Sequence, residues 1–195
     1  MAKKESTLKN MLIALMVITI VSGGVLGFIY GLTKPAIDKV EENKNIKAIN
    51  EVLQTDVAIA STEARDIEDL TYNLAYDANG NFIGAAIKTY SMNGFGGKVE
   101  LMVGMLKNGI INKVSILSQA ETPGLGANMV NDKFKGQFNG KDPKQFVLKV
   151  KKDGGDVDAI TAATISSRAV SEAIKKAADG FEANKDQFMK GGNNE

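Results

Sequence analysis

An uncharged stretch constrains this chain more than any other feature. Residues 11 to 33, MLIALMVITIVSGGVLGFIYGLT, carry no charge and lie between Lys9 and Lys34. As a helix rising about 1.5 Å per residue, the stretch is roughly 34 Å long, enough to cross a hydrocarbon layer of about 30 Å. A helix buried in a protein core rarely stays free of charge over such a length. A cleaved secretory leader has a shorter apolar region, about 7 to 15 residues, ahead of small residues. Ser22-Gly23-Gly24 supplies the small residues, but Val25, Leu26, Phe28 and Ile29 continue the apolar run. The reading is an uncleaved single-pass anchor, with membrane lipid as one partner. Lys3, Lys4 and Lys9 precede it against Glu5, whereas Lys34 and Lys39 behind it are offset by Asp38, Glu41 and Glu42. That asymmetry puts residues 1–10 in the cytoplasm and residues 34 to 195 outside it.

Beyond Pro35, Ile37, Val40, Ile49 and Leu53 recur near helical spacing among charges, which predicts a juxtamembrane amphipathic helix. Residues 54 to 70 are polar and acidic without a period and read as a connector or a poorly defined start to the domain, with 34–70 taken as helix plus connector. The period then changes to two. Tyr72, Leu74 and Tyr76 alternate up to Asn79-Gly80, and Val99, Leu101, Val103 and Met105 alternate up to Asn108-Gly109. Asn-Gly tolerates the positive φ of tight hairpin turns, so each unit predicts a β-hairpin. The two hairpins form a weak internal repeat, each followed by a glycine-rich loop. A short helix is expected over about 128 to 134 and a strand over 145 to 150. Val170, Ile174, Ala177 and Phe181 mark an amphipathic terminal helix packed on the sheet. The expected class is α+β: a transmembrane helix at 11–33, then a domain at 71–190 of antiparallel hairpins and packed helices, with a tail at 191–195.

Composition removes several chemistries. The chain has no cysteine and no histidine, which excludes disulfides, thiol nucleophiles, zinc sites of the usual kind and histidine-assisted nucleophiles. Its net charge is +1, with no basic concentration in the C-terminal body, so nucleic acid is set aside as a partner. Any reaction must rest on carboxylates, hydroxyls, backbone groups or a cofactor.

Three segments invite attention. Asn93-Gly94-Phe95-Gly96-Gly97 is rich in glycine, as any tight turn requires. In Glu121-Thr122-Pro123-Gly124-Leu125-Gly126 the proline stiffens a loop whose glycines leave backbone N–H groups accessible. Such a loop can cradle the polar edge of a planar cofactor with Glu121 to position it; it can equally be a rigid turn with an incidental acid. The third segment, DAITAATISS, puts four hydroxyls within seven residues just before a helix. Thr161 or Thr164 can cap that helix. Alternatively, Ala162 and Ala163 leave Thr164 open to esterification by a phosphate whose charge the helix N–H groups would stabilise.

The spacing of Asp158, Thr161, Ala163, Thr164 and Ser166 resembles the flavinylation sequence of the FMN-binding domain family, Asp-x-x-(Ser/Thr)-Gly-Ala-Thr-x-(Ser/Thr), with Ala162 at the glycine position. The two glycine loops and the anchor are similar, in order, to those of the G subunit in Rnf-type electron-transport complexes. The resemblance implies that a flavin transferase moves FMN from FAD onto Thr164 through a phosphodiester bond. It implies further that Glu121, Thr122, Gly124, Leu125, Gly126, Ala163 and Ile165 adjoin the flavin. Asp158, Thr161, Ala162 and Ser166 would complete the recognition sequence, and Ser166 and Ser167 would cap the helix. The implied function is electron relay within a membrane-bound, ion-translocating ferredoxin:NAD oxidoreductase, with the other membrane and peripheral subunits as partners and the redox chemistry in the flavin. The related C subunit of Na+-translocating NADH:quinone reductase and a non-redox membrane-tethered module are the alternatives.

Overall fold

Residues 7–55 and 58–190 are described by the structure, a computed structural model. Helix α1, Leu8–Val52, runs without interruption for 45 residues, through Pro35. The expected anchor and the expected juxtamembrane helix are therefore one element. Its apolar part is long and apolar enough to cross a membrane, and its large side chains there are exposed. The hydroxyls of Thr19 and Thr33 donate to the carbonyls of Leu15 and Ile29 at 3.0 and 2.9 Å. Each thereby keeps its polarity inside the helix, as an apolar surrounding demands. Two units divide the chain, Met1–Lys44 and Asn45–Glu195, so the domain takes in the last turns of α1 and begins well before residue 71.

The second unit is built on an antiparallel five-stranded sheet in sequential order: β1 Ser61–Ile67, β2 Leu70–Tyr76, β3 Phe82–Gly94, β4 Gly97–Leu106 and β5 Ile111–Ser118. The Asn-Gly turns join β2 to β3 and β4 to β5, with Gly80 at φ 77° and Gly109 at φ 88°. Residues 54 to 70, expected to be a connector or a poorly defined start to the domain, contain β1. This edge strand is mostly exposed and polar and pairs only with β2, so it carries no apolar alternation to announce it.

Both faces of the sheet are covered. Helix α3, Thr164–Lys190, lays Val170, Ile174, Ala177, Phe181 and Phe188 on the face formed by Tyr72, Leu74, Ile87, Leu101 and Val103. Alternation sends Ala75, Ala86 and Met102 to the other face, where Ala48, Val52 and Leu53 cover them. Contact there is close enough that a Cβ on Gly104 would lie 2.1 Å from the Val52 carbonyl oxygen.

Between β5 and α3 the chain is irregular. Single-turn α2, Asp132–Lys135, follows a 3-10 turn at Gly126–Val130, close to the short helix expected at 128 to 134. The strand expected at 145 to 150 does not form. Residues 145 to 149 lie in turns and coil, and Val150 makes one isolated bridge to Val157, because the backbone here is taken up by the turn that follows: the N–H groups of Asp156 and Val157 donate to the carbonyls of Val147 and Lys149, each at 3.0 Å. The tail at 191–195 and residues 1–6 of the N-terminal segment lie outside the described residues.

Candidate functional site

The three segments singled out in the sequence meet at one end of the sheet. Gly94 to Gly97 is the β3–β4 turn itself, Glu121 follows the end of β5, and Ser166 lies in the first turn of α3. Glu121 is only 6% exposed. Its Oε1 accepts the Gly96 N–H at 3.1 Å, and its Oε2 accepts the Ser166 hydroxyl at 2.7 Å. One carboxylate thus joins a turn, a loop and a helix, and both its oxygens are engaged within the protein. The neighbouring glycines make room for it: a Cβ on Gly126 would lie 2.4 Å from both Glu121 Oε2 and Ser166 Oγ, and one on Gly96 would lie 2.1 Å from the Ala120 carbonyl oxygen.

Thr164 is the first residue of α3 and is half-buried. The first N–H to reach back into the helix belongs to Ser167, which donates to the Ala163 carbonyl at 3.1 Å. The N–H groups of Thr164, Ile165 and Ser166 therefore face out of the helix start with no helical acceptor. Ser166 and Ser167, expected to cap the helix, do not. Because α3 begins at Thr164, both lie inside its first turn: Ser166 bonds Glu121, while Ser167 Oγ donates to the Ala163 carbonyl at 3.0 Å and accepts the Ile160 N–H at 2.9 Å. Ala162, at the position the flavinylation sequence gives to glycine, has φ +58°. This is the left-handed region, where a Cβ is crowded by the following carbonyl.

Thr164 opens onto a cleft of ≈ 340 Å³ that is mainly apolar, walled by Phe95, Leu125, Ala163 and Ile165, with Thr122, Gly126, Ala162, Glu121 and Ser166 completing its lining. That volume lies at the lower end of the range of roughly 300–1,000 Å³ for small-molecule clefts. Asp158 and Thr161 line a neighbouring cleft of ≈ 400 Å³ with Gly124, Asn128, Asn131 and Lys133; Leu125 and Ala162 are common to both. The segment from Asp158 to Ser166 is thus split, with Thr164 on one cleft and Asp158 and Thr161 on the other.

Its start is held from outside. The Asp158 N–H donates to Gln137 Oε1 at 2.8 Å, and Gln137 Nε2 donates to the Asp158 carbonyl at 3.2 Å. The Asp158 carboxylate pairs with Lys151 at 2.8 Å. Beyond it Arg168 makes a two-pronged contact with Asp153, at 2.7 and 2.8 Å, which holds the Asp153 carboxyl below its ordinary range. No metal-ligating group of three or more acidic residues is present among the described residues. Phe95 and Gln137 were not singled out from the sequence. An aromatic in a glycine-rich turn was the available signal for Phe95; Gln137 had none.

The chain is similar to known proteins in sequence and in fold. Residues 94–179 match the model of the FMN-binding domain. The chain is 36% identical over 186 residues to the G subunit of the ion-translocating oxidoreductase complex of Vibrio cholerae, covering 88% of each. It is 33% identical over 162 residues to the G subunit of the proton-translocating ferredoxin:NAD(+) oxidoreductase complex of Clostridium ljungdahlii, covering 82% of this chain and 83% of the relative. Its fold is similar to the crystal structure of the C subunit of the Na(+)-translocating NADH-quinone reductase of Parabacteroides distasonis, with a TM-score of 0.56 and 19% identity over 78% of this chain and 95% of that one. With such identity along most of its length, the chain belongs to the G-subunit family of ion-translocating oxidoreductase complexes.

Proposed function

We propose that Thr164 carries FMN through a phosphodiester bond and that this flavin relays electrons within an ion-translocating ferredoxin:NAD oxidoreductase complex. The observation that carries the reading is the position of Thr164: first residue of α3, on an apolar cleft closed by the other two sequence landmarks. When bound, the flavin would supply the electron-accepting and electron-donating chemistry, since the chain has neither thiol nor imidazole. The residues fit such a group. The outward N–H groups of Thr164, Ile165 and Ser166 suit a phosphate at the helix start. Phe95, Leu125 and Ile165 suit a planar ring. Glu121 holds the turn, the loop and the helix to one another, so the cleft keeps its width.

Attachment forms the Thr164 Oγ1–phosphorus bond, breaks the bond between the two phosphates of FAD, and releases AMP with the hydroxyl proton. The flavin transferase that does this is a proposed partner, with Asp158 and Thr161 at its docking edge. The domain lies outside the cytoplasm in this reading, where a tether retains the flavin at high effective concentration. The names of the relatives carry both proton and Na(+) translocation, so the coupling ion is left open.

The test is co-expression with the transferase, followed by denaturing electrophoresis, flavin fluorescence and intact mass. The wild-type chain should gain the mass of one FMN less water. Thr164→Val should lose both mass and fluorescence while unfolding at the same temperature; flavin retained in that variant would refute the assignment.

A further inference from the structure

Phe95 is 71% exposed, yet it stands on a turn anchored to the buried Glu121 carboxylate. Its neighbours Gly94, Gly96 and Gly97 offer no side chains, so the turn presents one large apolar group and nothing else. The turn cannot yield to bury it. The Gly96 N–H is tied to the buried Glu121 carboxylate, and the backbone at Gly96 is packed against the Ala120 carbonyl too closely for a Cβ. Among the described residues Phe95 is the sole aromatic lining the cleft of Thr164. An aromatic side chain carried by an anchored backbone, exposed to water on the rim of an apolar cleft, is arranged for contact with another flat apolar surface.

We infer that Phe95 is a flavin-contacting residue that covers one side of the isoalloxazine ring, shields it from solvent and sets its potential. The inference rests on the flavin reading above. Contact between the phenyl and the tricyclic ring removes apolar area of both from water, and offset stacking of aromatic rings adds to it. An apolar cover also disfavours the charge that the flavin gains on reduction, so Phe95 keeps the potential low. Leu125 and Ile165, 41% and 47% exposed, provide apolar surface elsewhere on the same cleft. Glu121 enters as a positioning residue: it fixes the turn that carries the phenyl without offering a free oxygen to the ring.

The experiment uses the full-length protein, purified in detergent after co-expression with its transferase. Covalent flavin per chain, collisional quenching of flavin fluorescence by iodide, and the midpoint potential are measured on each variant. Phe95→Ala should keep full flavin content, raise the iodide quenching constant several-fold and shift the potential upward. Phe95→Leu, which keeps apolar bulk without a ring, should fall between. Met92→Ala removes a side chain that is 63% exposed on the same hairpin but does not line the cleft, and should match wild type. Full flavin content with quenching and potential unchanged in Phe95→Ala would overturn the inference and leave the attachment at Thr164 standing. No covalent flavin in the wild-type chain would overturn both.

Discussion

Replacing Ala162 by glycine should stabilise the protein, although the substitution removes a methyl group and adds no contact. Ala162 has φ +58°. An L-residue in this left-handed region carries a cost of about 1–2 kcal/mol, which glycine does not. Glycine in turn gives the unfolded chain more freedom, worth about 0.4–1 kcal/mol in the opposite direction. The methyl group itself contributes little, because Ala162 is exposed. The net expectation is a gain of roughly 0.8 kcal/mol, or about 2–3 °C in melting temperature for a domain of this size. Thermal unfolding of full-length wild type and Ala162→Gly, followed by circular dichroism in one detergent, measures it. Ala162→Val is the counter-test, since a β-branched side chain is worse still at positive φ and should lower the melting temperature. An unchanged or lowered melting temperature for Ala162→Gly would refute the argument that this backbone is strained. Because glycine is the residue of the flavinylation sequence at this position, covalent flavin yield should be at least that of wild type.

Other outcomes follow from the same structure. Glu121→Ala should cost about 3 kcal/mol, since it deletes two hydrogen bonds to a carboxylate and strands the buried Ser166 hydroxyl; combined with Ser166→Ala in a double-mutant cycle under urea, it should show coupling of about 1–2 kcal/mol. Phe181→Ala, which empties a fully buried position between α3 and the sheet, should cost about 3–5 kcal/mol in the same titration while leaving covalent attachment intact under native conditions. The Asp153 carboxyl is held low by its hydrogen bond to Arg168. Its contribution is therefore complete above the ordinary carboxylate value of about 4 and is lost as pH falls through the lowered folded value. Melting temperatures of wild type and Asp153→Asn should converge on acidification, and 1 M salt should shrink their difference at neutral pH because the pair is exposed.

The parts of the fold that were legible in the sequence are those whose physics is local. Asn79-Gly80 and Asn108-Gly109 announced β2 to β5 because a tight turn between alternating residues has few alternatives. Val170, Ile174, Ala177 and Phe181 announced α3 by their spacing. β1 was missed because an edge strand as polar as Ser-Thr-Glu-Ala-Arg-Asp-Ile is defined by its partner, and nothing in those residues names β2. The opposite error at 145 to 150 has the same root: Phe146, Leu148 and Val150 have a strand's alternation, but their backbone pairs with residues 155 to 157 and not with a strand. At the site, the motifs picked out the three segments that meet there but did not assign the hydroxyls around Thr164. Whether Ser166 caps a helix or binds a carboxylate depends on Glu121, 45 residues away in the sequence, turning inward.

The end of α1 bears on where a soluble fragment can begin. A boundary drawn at the close of the apolar run, or at the first hairpin, treats everything before the sheet as a stalk. Yet Ala48, Val52 and Leu53 are the lid of the second core, and Asn112 Nδ2 donates to the Val52 carbonyl at 2.8 Å. A fragment starting after Leu53 would bare Ala75, Ala86 and Met102 to water and should self-associate, whereas one starting at Asn45 retains its own cover. The last stretch of the anchor helix is, in effect, a piece of the domain synthesised ahead of the sheet it closes.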